Sequence, residues 1–195
     1  MKKETMRRID LTIDIDELRW SEALEKRKMS AFGHLGTHLD IMNKEFPLES
    51  TVLNGRIIDV SSVRERDIEI ADADLADVVA GDFVLLYTGV LEEAGYGSEE
   101  YSKSRVQLSK GLIETLVGRK VRMIGIDGPG IRRGVEHAPM DQYCADNGVL
   151  IVENLANLGD LCSSVGKGRF TVYTFPLRLK GATGLPCRVV AEIAA

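Results

Sequence analysis

The chain is poor in the residues that mark several common kinds of protein. Its 195 residues include three cysteines, Cys144, Cys162 and Cys187, scattered and without C-x-x-C spacing. That excludes a disulfide-stapled scaffold and a cysteine zinc site, and it fits a reducing compartment. Aromatic residues make up 6% and are dispersed, so no platform for stacking bases is in view. Lys and Arg number 25 against 30 Asp and Glu, and a net charge of −5 lacks the basic face that phosphate neutralisation needs. No apolar run approaches the length of a bilayer span. Met1–Arg8 carries the charges of a signal peptide, but Asp10, Asp14, Asp16 and Glu17 interrupt the apolar segment that should follow. The expectation is a cytoplasmic protein with a small-molecule partner, and with neither nucleic acid nor membrane as partner. With 44% hydrophobic content the chain can bury one substantial core, so a single domain over 1–195 is expected.

Histidine is scarce as well, three in all, yet two of them sit in His34-Leu35-Gly36-Thr37-His38-Leu39-Asp40. Imidazole nitrogens and a carboxylate suit Zn²⁺, Mn²⁺ or another first-row divalent ion, and three protein ligands leave a position open for water. Gly33, Gly36 and Thr37 disfavour a helix across the pair. The segment therefore reads as a glycine-bent loop entering a strand, where His38 and Asp40 point to one side and Gly36 lets His34 fold back. A polar turn whose histidines bond only to backbone is the other reading.

The second constellation is Glu136-His137-Ala138-Pro139-Met140-Asp141-Gln142-Tyr143, with Glu153 in the next apolar run. Pro139 suits the first turn of a helix and Gly148 its stop, which predicts a helix over 138–147 after the Gly128–Gly134 loop. His137 and Asp141 fall on adjoining turns near its start. As structure alone, they would support the helix N-terminus. Glu153 ends a buried strand, where a carboxylate needs a partner ion or a metal. Cys144 reads as a packed apolar side chain.

Strands are expected at Ile9–Thr12, Gly55–Val60, Phe83–Thr88, Val121–Ile126, Val149–Val152, Phe170–Phe175 and Arg188–Ile193, each rich in Val, Ile or Phe. A helical stripe runs over 107–117 and stops at Gly118. Helix, strand, helix, strand in that order indicates an α/β unit with partly parallel strands. Leu91–Arg105 has no clear period and reads as a solvated loop or a lid. Gly128–Gly134 lacks the residues of a phosphate cradle, but it leaves a strand at its carboxyl end, where ligand crevices form. That makes Asp127, Arg132 and Arg133 candidates to line a pocket. Either arginine, or Lys44, could grip an anionic substrate group. Trp20, in an amphipathic stretch over Asp16–Lys28, could pack on the body or form an aromatic wall for a planar substrate.

The His34–Asp40 run resembles the first part of the HxGTHxDxPxH signature of the cyclase-like metal-dependent hydrolases, which include bacterial kynurenine formamidase and isatin hydrolase. Ile124–Asp127, Ile151–Leu158 and Phe175–Leu179 resemble the family's later blocks, so the likeness runs from Ile9 to Ile193. Met42 and Lys44 stand where the pattern has Pro and His. Lys44 then takes the place of a ligand to a second metal, and an ammonium cannot ligate. A late His completes the family's site, and the usual interval back from Glu153 lands nearer Asp141 than His137. The resemblance implies an α/β swivelling β/β/α fold, with a mixed sheet and a few packed helices, and a homo-oligomer, dimer or tetramer. It also implies one divalent ion, Zn²⁺ or Mn²⁺, on His34, His38 and Asp40, activating water towards an amide or cyclic-amide carbon. His137 or Glu153 is then the general base and acid, with Asp141 and Gln142 as further ligands or orienters. Two alternatives stay open, a non-catalytic metal- or ligand-binding member and a metal-dependent lyase or cyclase.

Overall fold

The computed structural model describes residues 6–16, 21, 25 and 32–194. Ten strands are found among them: β1 Met6–Asp10, β2 His38–Asp40, β3 Val52–Asp59, β4 Asp67–Ile68, β5 Phe83–Tyr87, β6 Gln107–Leu108, β7 Met123–Ile126, β8 Leu150–Glu153, β9 Phe170–Pro176 and β10 Gly184–Ala194. The helices are α1 Val90–Ala94, α2 Glu99–Lys103, α3 Lys110–Gly118, α4 His137–Asp146 and α5 Leu158–Val165. The stretch expected to form an amphipathic helix around Trp20 lies mostly outside the described residues, as does Trp20 itself.

The main sheet has eight strands in the order β1-β10-β2-β8-β7-β5-β3-β9, and β9 also pairs with β10, so the strands from β10 round to β9 form a closed circuit. β3, β5, β7 and β8 run parallel, whereas β2 meets β8 and β10 antiparallel. This is the mixed α/β sheet that the sequence led one to expect. Alternation along the strands divides the core in two. Ile57, Phe83, Leu85, Met123, Leu150 and Val152 pack on one face with Leu39 and Val189. Ile58, Val84, Leu86, Ile124, Ile126 and Ile151 pack on the other against Leu112, Ile113 and Leu116 of α3 and Met140 and Cys144 of α4.

Two departures have local causes. The stripe over 107–117 begins its helix only at Lys110, because Ser109 accepts a hydrogen bond from Leu112 N and fixes the N-cap. Gln107 and Leu108 before it pair with Asp67 and Ile68. Leu91–Arg105 is not a solvated loop: it holds most of α1 and all of α2, the latter capped by Ser98 on Tyr101 N, and it buries Tyr101.

Candidate metal centre

The antiparallel register sets His38 opposite Glu153 and Asp40 opposite Ile151. Partners in a ladder share a face, and Leu39 points into the other core, so His38, Asp40 and Glu153 all face the helix side. Gly36, at φ 68°, turns the chain just before β2 and brings His34 back over the strand. α4 lies on this face, anchored by Met140 and Cys144. His137 and Asp141, one helical turn apart, lean the same way. Gly130 makes room for the third imidazole, since a Cβ there would sit 2.9 Å from His137 Nδ1. The glycine loop thus serves His137 rather than a ligand phosphate.

The side chains converge. His34 Nδ1 lies 3.0 Å from Asp40 Oδ1 and 3.2 Å from His38 Nε2. His38 Nε2 lies 3.6 Å from Asp40 Oδ1 and 3.5 Å from Glu153 Oε2. His137 Nε2 is 3.1 Å from Asp141 Oδ2 and 3.3 Å from Glu153 Oε1. Two donor sets result, His34/His38/Asp40 and Asp40/His137/Asp141/Glu153, the donor atoms of each lying within 4.8 Å of one another.

Burial makes this arrangement costly without a cation. Asp40, Asp141 and Glu153 are buried, and Asp40 Oδ2, Asp141 Oδ1 and Glu153 Oε1 have no hydrogen-bond partner among the described residues. Burial, with the Asp40 charge added, pushes the Asp141 carboxyl up to about 8. Burial and the charges of Asp40 and Asp141 raise Glu153 well above the usual carboxylate range. At Asp40 burial works against the charge, but the His34 contact and the nearby imidazoles outweigh it and hold the carboxyl low. Burial lowers His38 despite the pull of Asp40, and it lowers His137 too. Neutral imidazoles beside a charged carboxylate are the donor chemistry of a first-row divalent ion. The residues present therefore fit one.

The orientation of His38 is fixed. Its Nδ1 is 2.9 Å from the Gly36 carbonyl, which can only accept, so Nδ1 carries the proton and Nε2 presents a lone pair to the cluster. His34 Nε2 lies 3.1 Å from Thr183 Oγ1, a hydroxyl that can accept as well as donate, so His34 can turn a lone pair on Nδ1 towards a cation.

Other residues singled out in the sequence are occupied elsewhere. Arg132 donates to Asp67 Oδ2, to the Leu108 carbonyl and to Glu136, so its guanidinium braces the loop after β7 instead of gripping a substrate. Arg133 donates to the carbonyls of Ser104 and Ser102. Lys44 pairs with Asp146 at 2.5 Å, at the far end of α4 from His137. Gln142 bonds to Asn43 and Asp146, turned about 100° around the helix from Asp141. The Asp127 carboxylate is buried and accepts from Thr88 N, Thr88 Oγ1 and Gly89 N, which makes it a clasp between β5 and β7. Tyr96, Tyr101, Asn154 and Thr183 reach the site only through contacts between distant parts of the chain. Asn154 lies in the Ile151–Leu158 block, directly after Glu153, but no local sequence pattern marks the other three.

The Cyclase family model matches residues 9–133, a stretch that holds the first donor set and ends before α4. No curated protein matches the chain by sequence. A solved structure titled a potential metal-dependent hydrolase with cyclase activity is 26% identical over 96% of this chain and 98% of its own, with a TM-score of 0.75. Isatin hydrolase A from Labrenzia aggregata, 18% identical over 97% of this chain and 94% of its own, superposes with a TM-score of 0.73. An isatin hydrolase bound to the product analogue thioisatinate, 20% identical over 84% and 73%, gives 0.70. At these last two identities the likeness is one of fold.

Proposed function

The chain belongs to the Cyclase family, and from that premise we propose that it is a metal-dependent hydrolase cleaving an amide or cyclic-amide C–N bond of a small molecule. The observation that carries this reading is the convergence of His34 Nδ1, His38 Nε2 and Asp40 Oδ1 on one point beside the buried carboxyls of Asp141 and Glu153. His34, His38 and Asp40 would hold one divalent ion, Zn²⁺ or Mn²⁺. When bound, the ion supplies Lewis acidity that acidifies water and polarises a carbonyl. One neighbour is titled a potential metal-dependent hydrolase with cyclase activity, which supports metal-dependent hydrolysis and keeps the lyase or cyclase alternative as an outcome of the test below.

His137 is the general base. Burial keeps its ring neutral near pH 7, and Nε2 faces the cluster beside Glu153. Its side chain remains 33% exposed, which leaves a route to trade protons with solvent. Nε2 takes a proton from water and returns it to the leaving nitrogen. Glu153, raised by burial, holds a proton at Oε1 or Oε2 and supports the same transfer as an acid. Asp141 Oδ2 lies 3.1 Å from His137 Nε2 and stabilises the imidazolium once that nitrogen has taken the proton.

A second reading, two ions sharing Asp40, is favoured by the second donor set and its partnerless Asp141 Oδ1. Metal content per chain separates it from the first.

Among the described residues no helix is long and apolar enough to cross a membrane. We place the protein in the cytoplasm as a homo-oligomer, which a solution mass measurement checks. The functional test is a panel of N-formyl aromatic amines and lactams with added Mn²⁺ or Zn²⁺. Hydrolysis with net uptake of water is expected, and His137→Gln should lower it by about 10²–10⁴-fold with metal retained. Binding without turnover across the panel, or net loss of water, would overturn the hydrolase reading.

A further inference from the structure

We propose that Tyr101 and Asn154 are positioning residues that hold the Gly36 carbonyl where it accepts the His38 Nδ1 proton and thereby aim Nε2 at the cation; the idea rests on the metal reading above. The Gly36 peptide is held at both ends. Its N–H donates to Tyr96 Oη at 2.9 Å. Its carbonyl accepts from Asn154 Nδ2 at 2.8 Å and from His38 Nδ1 at 2.9 Å. Both lone pairs of that oxygen are therefore used. Asn154 is in turn oriented by Tyr101, whose hydroxyl donates to Asn154 Oδ1 at 2.5 Å and lies 3.3 Å from the Asp127 carbonyl.

That last bond decides which way the amide faces. With Oδ1 tied to Tyr101, the NH₂ must point at Gly36 and His38. Asn154 Nδ2 is 3.3 Å from His38 Nδ1, and both nitrogens meet the same Gly36 oxygen, so the amide acts on His38 by fixing that carbonyl in place. With the carbonyl fixed, a proton on Nδ1 gives it and the ring a partner. Asn154 itself sits at φ 57°, a conformation asparagine tolerates better than most residues, directly after Glu153. Tyr101 and Asn154 are both buried, at 2% and 4% exposure, so solvent cannot substitute for either bond.

The geometry gives the segment holding α1 and α2 a task. It carries Tyr96 and Tyr101, whose rings meet edge to face with centroids 6.0 Å apart, and clips them onto the loop that presents His34 and His38. Partners of this kind hold a ligating imidazole in one tautomer and one rotation.

The test uses the full chain with Mn²⁺ as probe. Tyr101→Phe removes one hydroxyl, and Asn154→Gly removes the amide while accommodating the backbone at 154. Each should weaken Mn²⁺ affinity by about 10–100-fold, and the double variant should be no weaker than Asn154→Gly, because the two act in series. In the metal-free protein, ¹⁵N chemical shifts of His38 should report the Nδ1–H tautomer in the wild type and a mixture in the variants. A purely structural role would lower the melting temperature and leave the tautomer unchanged. Affinity within twofold of wild type, or an unaltered His38 tautomer, overturns the proposal. If the wild type binds no Mn²⁺, the metal reading falls, and the tautomer measurement still decides the role of Asn154.

Discussion

Replacing Asp40 with asparagine should lower the stability of the metal-free protein and abolish its response to metal. Asp40 is common to both donor sets, and its charge contributes to raising Asp141 and Glu153. At 4.8 Å and an effective dielectric constant of about 20, two carboxylate charges would repel by roughly 3.5 kcal/mol. Protonation of Asp141 and Glu153 removes that repulsion near neutral pH, which leaves the pull of His34, His38 and His137 on the Asp40 charge. A carboxyl held low in the folded state contributes stability above its unfolded value, and the amide loses that contribution. Metal widens the gap. At a free concentration of about 100 Kd, a bound ion adds ~2.7 kcal/mol to the wild type, roughly 5–11 °C in Tm for a chain of this size, whereas the variant has lost the one oxygen ligand of the first set. Calorimetric scans with EDTA and with Mn²⁺ should therefore diverge, the variant melting lower without metal and lower still, relative to the wild type, with it. A variant that melts above the wild type in EDTA, or gains as much from Mn²⁺, would refute the claim that Asp40 is a metal ligand whose charge the imidazoles hold.

Two further outcomes test the frame around the site. Asp127→Asn places an NH₂ against either the Thr88 or the Gly89 donors and should cost about 1–3 kcal/mol in denaturant unfolding; an unchanged midpoint would remove the clasp between β5 and β7. The same carboxyl should show pH dependence, since burial pushes it up to about 6 from an ordinary 3.8 despite the Thr88 and Gly89 donors. Between those two values the folded chain keeps a proton that the unfolded chain has released, so this group's contribution falls as pH rises through the window. A ¹³C titration with its midpoint near 3 would contradict that. Phe83→Ala, at a fully buried position where the ring fills the space over Gly125, should cost about 3–5 kcal/mol.

Much of the fold was legible because alternation and β-branched runs are local signals. Each of the seven expected strands overlaps an observed one, and the helix expected over 138–147 is α4. β2, only three residues long, was legible through its ligands, since His38 and Asp40 two apart require a strand if they are to share a face. What stayed hidden depends on distance in the chain. Lys44 looks free in sequence because its partner Asp146 is remote, and Arg132 because Asp67 and the Leu108 carbonyl join the local Glu136 only in the fold. Leu91–Arg105 shows no period because its two helices are single turns, held by a Ser98 cap and a buried tyrosine rather than by an amphipathic stripe. Asp141 could be placed near the site by its interval from Glu153, but the joint use of His137 and Asp141 follows only once α4 is laid across β8. Asn154 lies in the Ile151–Leu158 block, but its link to Tyr101 spans 53 residues, a pairing no local motif carries.

The central claim is convergence of three side chains on one cation, and crystals grown with Mn²⁺ test it most directly. Anomalous difference density bounded by His34 Nδ1, His38 Nε2 and Asp40, at ligand distance from all three, is the expected result. A well-ordered pocket with no anomalous peak at saturating Mn²⁺, or a peak held by other residues while these three turn apart, would contradict it.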